Sequence, residues 1–223
     1  MSNIHGFTQQ DNVSRAADGT SVGIRATRDG AIIQTPWLQA LCLEGRVFGA
    51  FGGAADLDAT GPGTFGDGAV DNDEFDFHCI IPSTVAILPV FLAMPAVAIG
   101  TIDEVTFASA WGTDSVVGAG GISLTAYNVR PGSSNSSDCT VGALYNTGGT
   151  ALAEEGFLVV NSSTALTGVA ATPAQLVPAY SAATSAFVPV LEGARQWVGW
   201  NAGQATTGYI LASWVELPIA AVR

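Results

Sequence analysis

No lysine occurs anywhere in this chain: its seven basic residues are all arginine, set against nineteen acids, for a net charge of −12. Without lysine there is no GxxxxGKS/T phosphate loop. Phosphate backbones and anionic headgroups repel a chain this acidic, which argues against nucleic acid and membrane surfaces as partners. Lysine is also the residue that protein interfaces avoid, because a hydrated ammonium on a mobile stem is costly to bury. Its absence therefore fits a surface largely covered by neighbours, although genomic base bias is the competing explanation.

Other absences narrow the chemistry. The two histidines are His5 and His78, and no GxSxG elbow is present. A Ser-His-Asp or Cys-His arrangement would have to use His78, but its neighbour Cys79 lies on the opposite face of any strand that holds both. His78 reads instead as the polar-face residue of a strand. The three cysteines, Cys42, Cys79 and Cys139, form no CxxC pair. They read as small buried apolar side chains of a chain kept in a reducing compartment. Residues 1–30 lack an apolar signal core, so the expectation is a chain that folds in a cytoplasm. No spacing singles out a carboxylate pair, and the expectation is that the protein is not an enzyme.

The charge is unevenly placed. Residues 1–50 balance Arg15, Arg25, Arg28 and Arg46 against Asp11, Asp18, Asp29 and Glu44; residues 51–223 carry three arginines against fifteen acids, which supplies the whole −12. Residues 1–30 are polar, rich in Gly, Ser, Thr and Asn, and without sustained periodicity. They read as an extended arm, with residues 31–223 as a single domain.

The longest apolar run is STVAILPVFLAMPAVAIG, residues 83–100. It approaches the roughly 20 residues of a membrane helix, but Pro89 and Pro95 lie inside it and Pro82 just before. No basic residue flanks it, and Val85, Ile87, Val90, Val97 and Ile99 are β-branched. The spacing predicts strands over 84–92 and 96–100, broken near Met94-Pro95. An uncharged strand with prolines implies cover on both faces, by the core on one side and a second subunit on the other. Trp37, Val90 and Phe91 are the residues assigned to that subunit interface.

Further strands are expected at 104–111, 122–129, 138–145, 156–161, 185–191, 195–201 and 207–217. In FDFHCII, residues 75–81, Phe75, Phe77, Cys79 and Ile81 oppose a wet face of Asp76 and His78. For residues 31–51 the alternation of Trp37, Gln39, Leu41 and Leu43 favours a strand, while Thr35-Pro36 would suit the start of a short helix. Residues 171–180 read as one helical turn capped by Thr172. About nine short strands with almost no helix indicate an all-β fold, a β-sandwich of jelly-roll-like form with an extended N-terminal arm.

The acidic segment DLDATGPGTFGD, residues 56–67, lays out an imperfect calcium loop: Asp56, Asp58 and Thr60 at positions one, three and five, Gly61 at six and Asp67 at twelve. Seven acids and no base fall between residues 56 and 76. Such a run is either a solvated or partner-facing surface or one neutralised by Ca2+. The five tryptophans could supply a sugar-stacking platform, but Trp197 and Trp200 are three apart and face opposite ways on a strand. Core packing and subunit contacts explain them more simply.

The arm MSNIHGFTQQDNVSR, the strand STVAILPVFLAM and the closing YILASWVELP, on an acidic body, resemble virion structural proteins of tailed bacteriophages, of the small β-sandwich decoration or cement kind. That resemblance implies a homotrimer on the capsid exterior, assembled in the host cytoplasm, which binds the major capsid protein and stabilises the shell. Arg15, Arg25 and Arg28 of the arm would then meet the capsid, by strand addition to a groove or sheet edge. The alternative expectation is a calcium-stabilised carbohydrate- or receptor-binding module of a fibre or spike.

Overall fold

The computed structural model describes residues 36–52, 63–65, 73–99, 103–113, 121–143, 149–165, 179–202 and 206–222. Its first element corrects the reading of residues 37–43 as a strand. WLQALCL forms helix α1 (Trp37–Leu43), entered through Pro36 at the N-cap position with φ −51° and ψ 137°. No residue of this run is β-branched, and Leu, Gln and Ala are good helix formers. The end is sharp: Gly45 takes φ +68°, its N–H reaches the Cys42 carbonyl and the Arg46 N–H reaches that of Leu41, both at 3.0 Å. This is a Schellman closure, which needs a left-handed residue at Gly45.

The strands follow in order: β1 (Val47–Gly52), β2 (Gly63–Phe65), β3 (Phe77–Ile80), β4 (Val85–Ala93), β5 (Ala96–Ile99), β6 (Asp103–Thr113), β7 (Ile122–Leu124), β8 (Ala126–Asn128), β9 (Thr140–Ala143), β10 (Ala153–Ala165), β11 (Ala179–Ser181), β12 (Leu191–Glu192), β13 (Gln196–Ala202), β14 (Thr206–Gly208) and β15 (Ile210–Pro218). A 3-10 turn at Ile219–Ala221 closes the series. One sheet has the order β11-β4-β15-β1-β8, with β12 also on β4; the second has β10-β6-β13-β3-β9-β7; a small third sheet has β2-β14-β5. Every described pairing is antiparallel.

The two large sheets face each other across one core, so the fold is an all-β sandwich. Phe48, Ile87, Leu92, Ile210 and Trp214 of the first sheet pack against Phe77, Cys79, Phe107, Val141 and Trp197 of the second. Alternation supplies this inner face, since every second residue of each strand points the same way.

The prolines of the apolar run sit where strand geometry tolerates them. Pro82 precedes β4 and Pro95 separates β4 from β5. Pro89 lies at a register shift, where Phe91 pairs with Ser213 and Pro89 with Trp214, so that Val90 is the extra residue of a bulge. No helix among the described residues is long and apolar enough to cross a membrane.

Other expectations need correction. Residues 122–129 are two strands, β7 in the second sheet and β8 in the first, because the chain changes sheet at Thr125. The strand expected at 185–191 shrinks to Leu191–Glu192, after a turn in which the Thr184 and Ser185 hydroxyls donate to the Ser181 carbonyl. Of the turn expected at 171–180, residues 171–178 lie outside the described residues, and Ala179-Tyr180 belong to β11.

His78 is not on a wet face. It is 1% exposed, stacked on Phe75 at 5.4 Å and bonded to Gln196 at 3.0 Å between Nε2 and Oε1. Phe75 leaves the face assigned to it and joins Ala108, Ala110, Leu152, Val198 and Trp200 in a second cluster behind the second sheet. The middle of that sheet, at β3, β6 and β13, is therefore covered on both sides.

Candidate functional site

Once the inner face is assigned, the outer face of the first sheet follows from register. One row across it runs Tyr127, Gly49, Ser213, Phe91; the next runs Phe51, Leu211, Ala93, Ala179. Gly49 leaves room for the Tyr127 ring, which would lie 2.8 Å from a Cβ placed there. Phe51 and Leu211 are partners in register, 39% and 37% exposed, and Tyr127 is 50% exposed. Phe51 also stacks on Tyr209 with centroids 6.1 Å apart. Among the residues of β4, β15, β1, β8 and β11 the one charged side chain is Glu216, which is buried; β12, beside the start of β4, adds Glu192 at the margin of the sheet.

This face holds the assigned interface residues in part. Phe91 lies in its first row, and Val90, thrown out of register by the bulge, is half-buried beside it. Trp37, 49% exposed, sits on α1, which rests against β1. Phe51, Tyr127 and Leu211 were missed by the sequence reading, although the alternation of β15 places Leu211 opposite Trp214. Arg15, Arg25 and Arg28, and the loop residues Asp56, Asp58, Thr60 and Asp67, lie outside the described residues. Among the described residues no three His, Cys, Asp or Glu side chains could hold a metal ion.

A cleft of about 380 Å³ opens where the segment 133–138 crosses the end of the first sheet, lined by Arg46, Thr84, Asn135, Ser136, Asp138 and Glu216. Its polar groups are largely engaged with one another. Glu216, 7% exposed, accepts from Trp214 Nε1 at 2.7 Å, from the Ser137 hydroxyl and from the Asp138 N–H at 3.0 Å. Asn135 Nδ2 donates to the carbonyls of Gly45 and Glu44 at 3.2 and 3.4 Å, and Arg46 pairs with Glu44 at 3.1 Å. This network ties the segment 133–138 to β15 and to the end of α1. A buried carboxylate with three donors is a satisfied anchor.

The thiols and the imidazole are poorly placed for nucleophilic work. His78 sits in the cluster behind the second sheet and Cys79 in the core, on opposite faces of β3. Burial lowers the His78 pKa against the opposing effect of its bond to Gln196. The Cys139 thiol is held far above its ordinary range, first by its hydrogen bond with Cys79 and then by burial, and burial also raises Cys42. Raised thiols are weak nucleophiles at neutral pH. Compared with family models, with curated proteins and with solved structures, the chain matches none.

Proposed function

We propose that the protein is a virion structural protein, a decoration or cement protein that binds the head lattice of a tailed bacteriophage and stabilises it as a trimer. The observation that carries this reading is the outer face of the first sheet. In a chain of net charge −12, four adjacent strands present Phe51, Phe91, Tyr127 and Leu211 with no outward charge. An acidic protein can meet its own kind only where charge is missing, and exposed aromatic patches of this sort mark contact surfaces. The balanced N-terminal arm, holding Arg15, Arg25 and Arg28, then reaches the major capsid protein, and three arms in one assembly bind with avidity.

The test is deletion of residues 1–30. The intact chain is expected near three times 22.7 kDa. The shortened chain is expected to keep that three-copy stoichiometry, at a correspondingly lower mass, and to lose attachment to purified heads. Attachment unchanged by the deletion would sink the role of the arm. A calcium-dependent glycan-binding module is the second reading, favoured by the polar cleft beside Asp138. That cleft offers no exposed ring for a sugar to stack on, since Phe48 in its lining is buried.

A further inference from the structure

The end strands of the two large sheets differ in one respect. β7, β8 and β11 are three residues long, too short to template a neighbour, whereas β10 runs for thirteen, Ala153–Ala165, with β6 on one side and no described strand on the other. Long open edges are normally blunted by lysine, proline, bulges or charge. The first part of β10 is so treated: register shifts fall at Glu154/Gly156 and Phe157/Val159, and Glu154 and Glu155 supply charge. The second part is not. Val159–Ala165 pairs residue for residue with Asp103–Ser109, and its sequence, VVNSSTA, holds no charge, no proline and no glycine.

We infer that Val159–Ala165 is a strand-pairing edge, and that its occupant is the same segment of a second copy, antiparallel about a two-fold axis. Every second residue of an end strand turns both its N–H and its C=O outward, so an extended partner completes the ladder. Charge selects the second copy and its direction. Residues 51–223 carry fifteen acids against three arginines, so, outside the apolar face of the first sheet, two copies approach with least repulsion along an uncharged run. β6 carries Asp103 and Glu104 behind Ala165 and Thr164. In an antiparallel pair centred in this run, each copy's Glu154 and Glu155 lie off the end where the other's Asp103 and Glu104 sit, so no acid stands directly opposite another across the seam. Glu155 is four residues from Val159, about 13 Å, beyond the Debye length of about 10 Å at 0.1 M salt. It is also held by Arg195, with Nε to Oε2 at 2.5 Å and Nη2 to Oε1 at 3.3 Å. Val160, 61% exposed, and Phe157, 42% exposed, add apolar side chains beside the seam.

This contact is separate from the apolar face of the first sheet, because β10 ends the other sheet. If the face builds a trimer, the strand joins one trimer to the next. Its existence does not depend on that trimer.

Two measurements on the full chain decide it. A nitroxide on Ser162→Cys, in a Cys42→Ser background, is expected to show dipolar coupling to its symmetry mate. With the axis anywhere between residues 159 and 165, the shift along the strands is at most about 20 Å. Light scattering across a concentration series is expected to show mass doubling, from three copies to six. Val160→Glu, at an exposed position, is expected to abolish both the doubling and the coupling while leaving the melting temperature unchanged. A mass fixed at three copies without coupling overturns the strand contact and leaves the trimer standing. A monomer–dimer equilibrium with coupling supports the strand contact and removes the trimer. Doubling and coupling that persist in Val160→Glu place the contact elsewhere and overturn it.

Discussion

His78 shows how far a single side chain can depart from its pattern. Alternation in FDFHCII separates it from Phe77 and Cys79 correctly, but alternation reports which face a residue takes and says nothing of what covers that face. Phe75 stacks on the imidazole and is itself packed by Trp200 of the neighbouring strand β13. Burial has a consequence for pH. The folded-state pKa is lowered, so between the unfolded value of about 6.5 and the folded one the unfolded chain holds a proton that the native chain refuses. Stability therefore rises with pH in that window and is lost as pH falls below about 6.5, by up to about 1.4 kcal/mol per pH unit. Thermal melts from pH 7.5 down to pH 5.5 are expected to show this slope, and His78→Asn to flatten it. Equal slopes in the two proteins would mean that His78 does not titrate differently on folding.

At the scale of elements, the most legible segments were those with explicit punctuation. Pro95 marked the break between two strands, which is there, whereas the bulge beside Pro89 came only with the register. Helix α1 was misread because only Gln39 of its seven residues is polar, so the run marks neither period, and the helix-start signal of Thr35-Pro36 was outweighed. β7 and β8 looked like one strand because nothing in ISLTAYNV announces a change of sheet. The outer apolar face was legible along β15 alone; its rows across four strands needed the register.

One tie between elements can be tested directly. Ser109 on β6 accepts from Trp197 Nε1 and donates to the Val198 carbonyl, both at 2.9 Å and both buried. Ser109→Ala leaves the indole N–H in the core without an acceptor, at a cost of about 1–3 kcal/mol. With a slope of about 2–4 °C per kcal/mol for a chain of this size, the melting temperature is expected to fall by about 2–12 °C. An unchanged melt would show that the indole finds another acceptor.

For the molecule as a whole, charge sets the terms of association. Fifteen of the nineteen acids lie after residue 50, against three arginines, so copies repel except along the faces described. Lowering the salt from about 0.1 M to about 0.01 M extends the Debye length from about 10 Å to about 30 Å, far enough for that repulsion to act across a whole contact. The assembly is expected to lose mass on such dilution and regain it when salt is restored, as read by light scattering. A mass that grows at low salt would mean that opposite charges, not apolar faces, hold the copies together.

The strand order of the first sheet also governs how the protein is made. β15 lies at its centre between β4 and β1, yet it is the last described strand to leave the ribosome. At about 5–20 residues per second, synthesis from the end of β4 at Ala93 to Ile210 takes roughly 6–25 s. Throughout that interval the run VAILPVFLA waits without its central neighbour. A nascent chain of this kind depends on holding chaperones more than most. Premature release before Ile210 gives no smaller folded version of the protein, only two apolar strands with an empty lane between them and a tendency to aggregate.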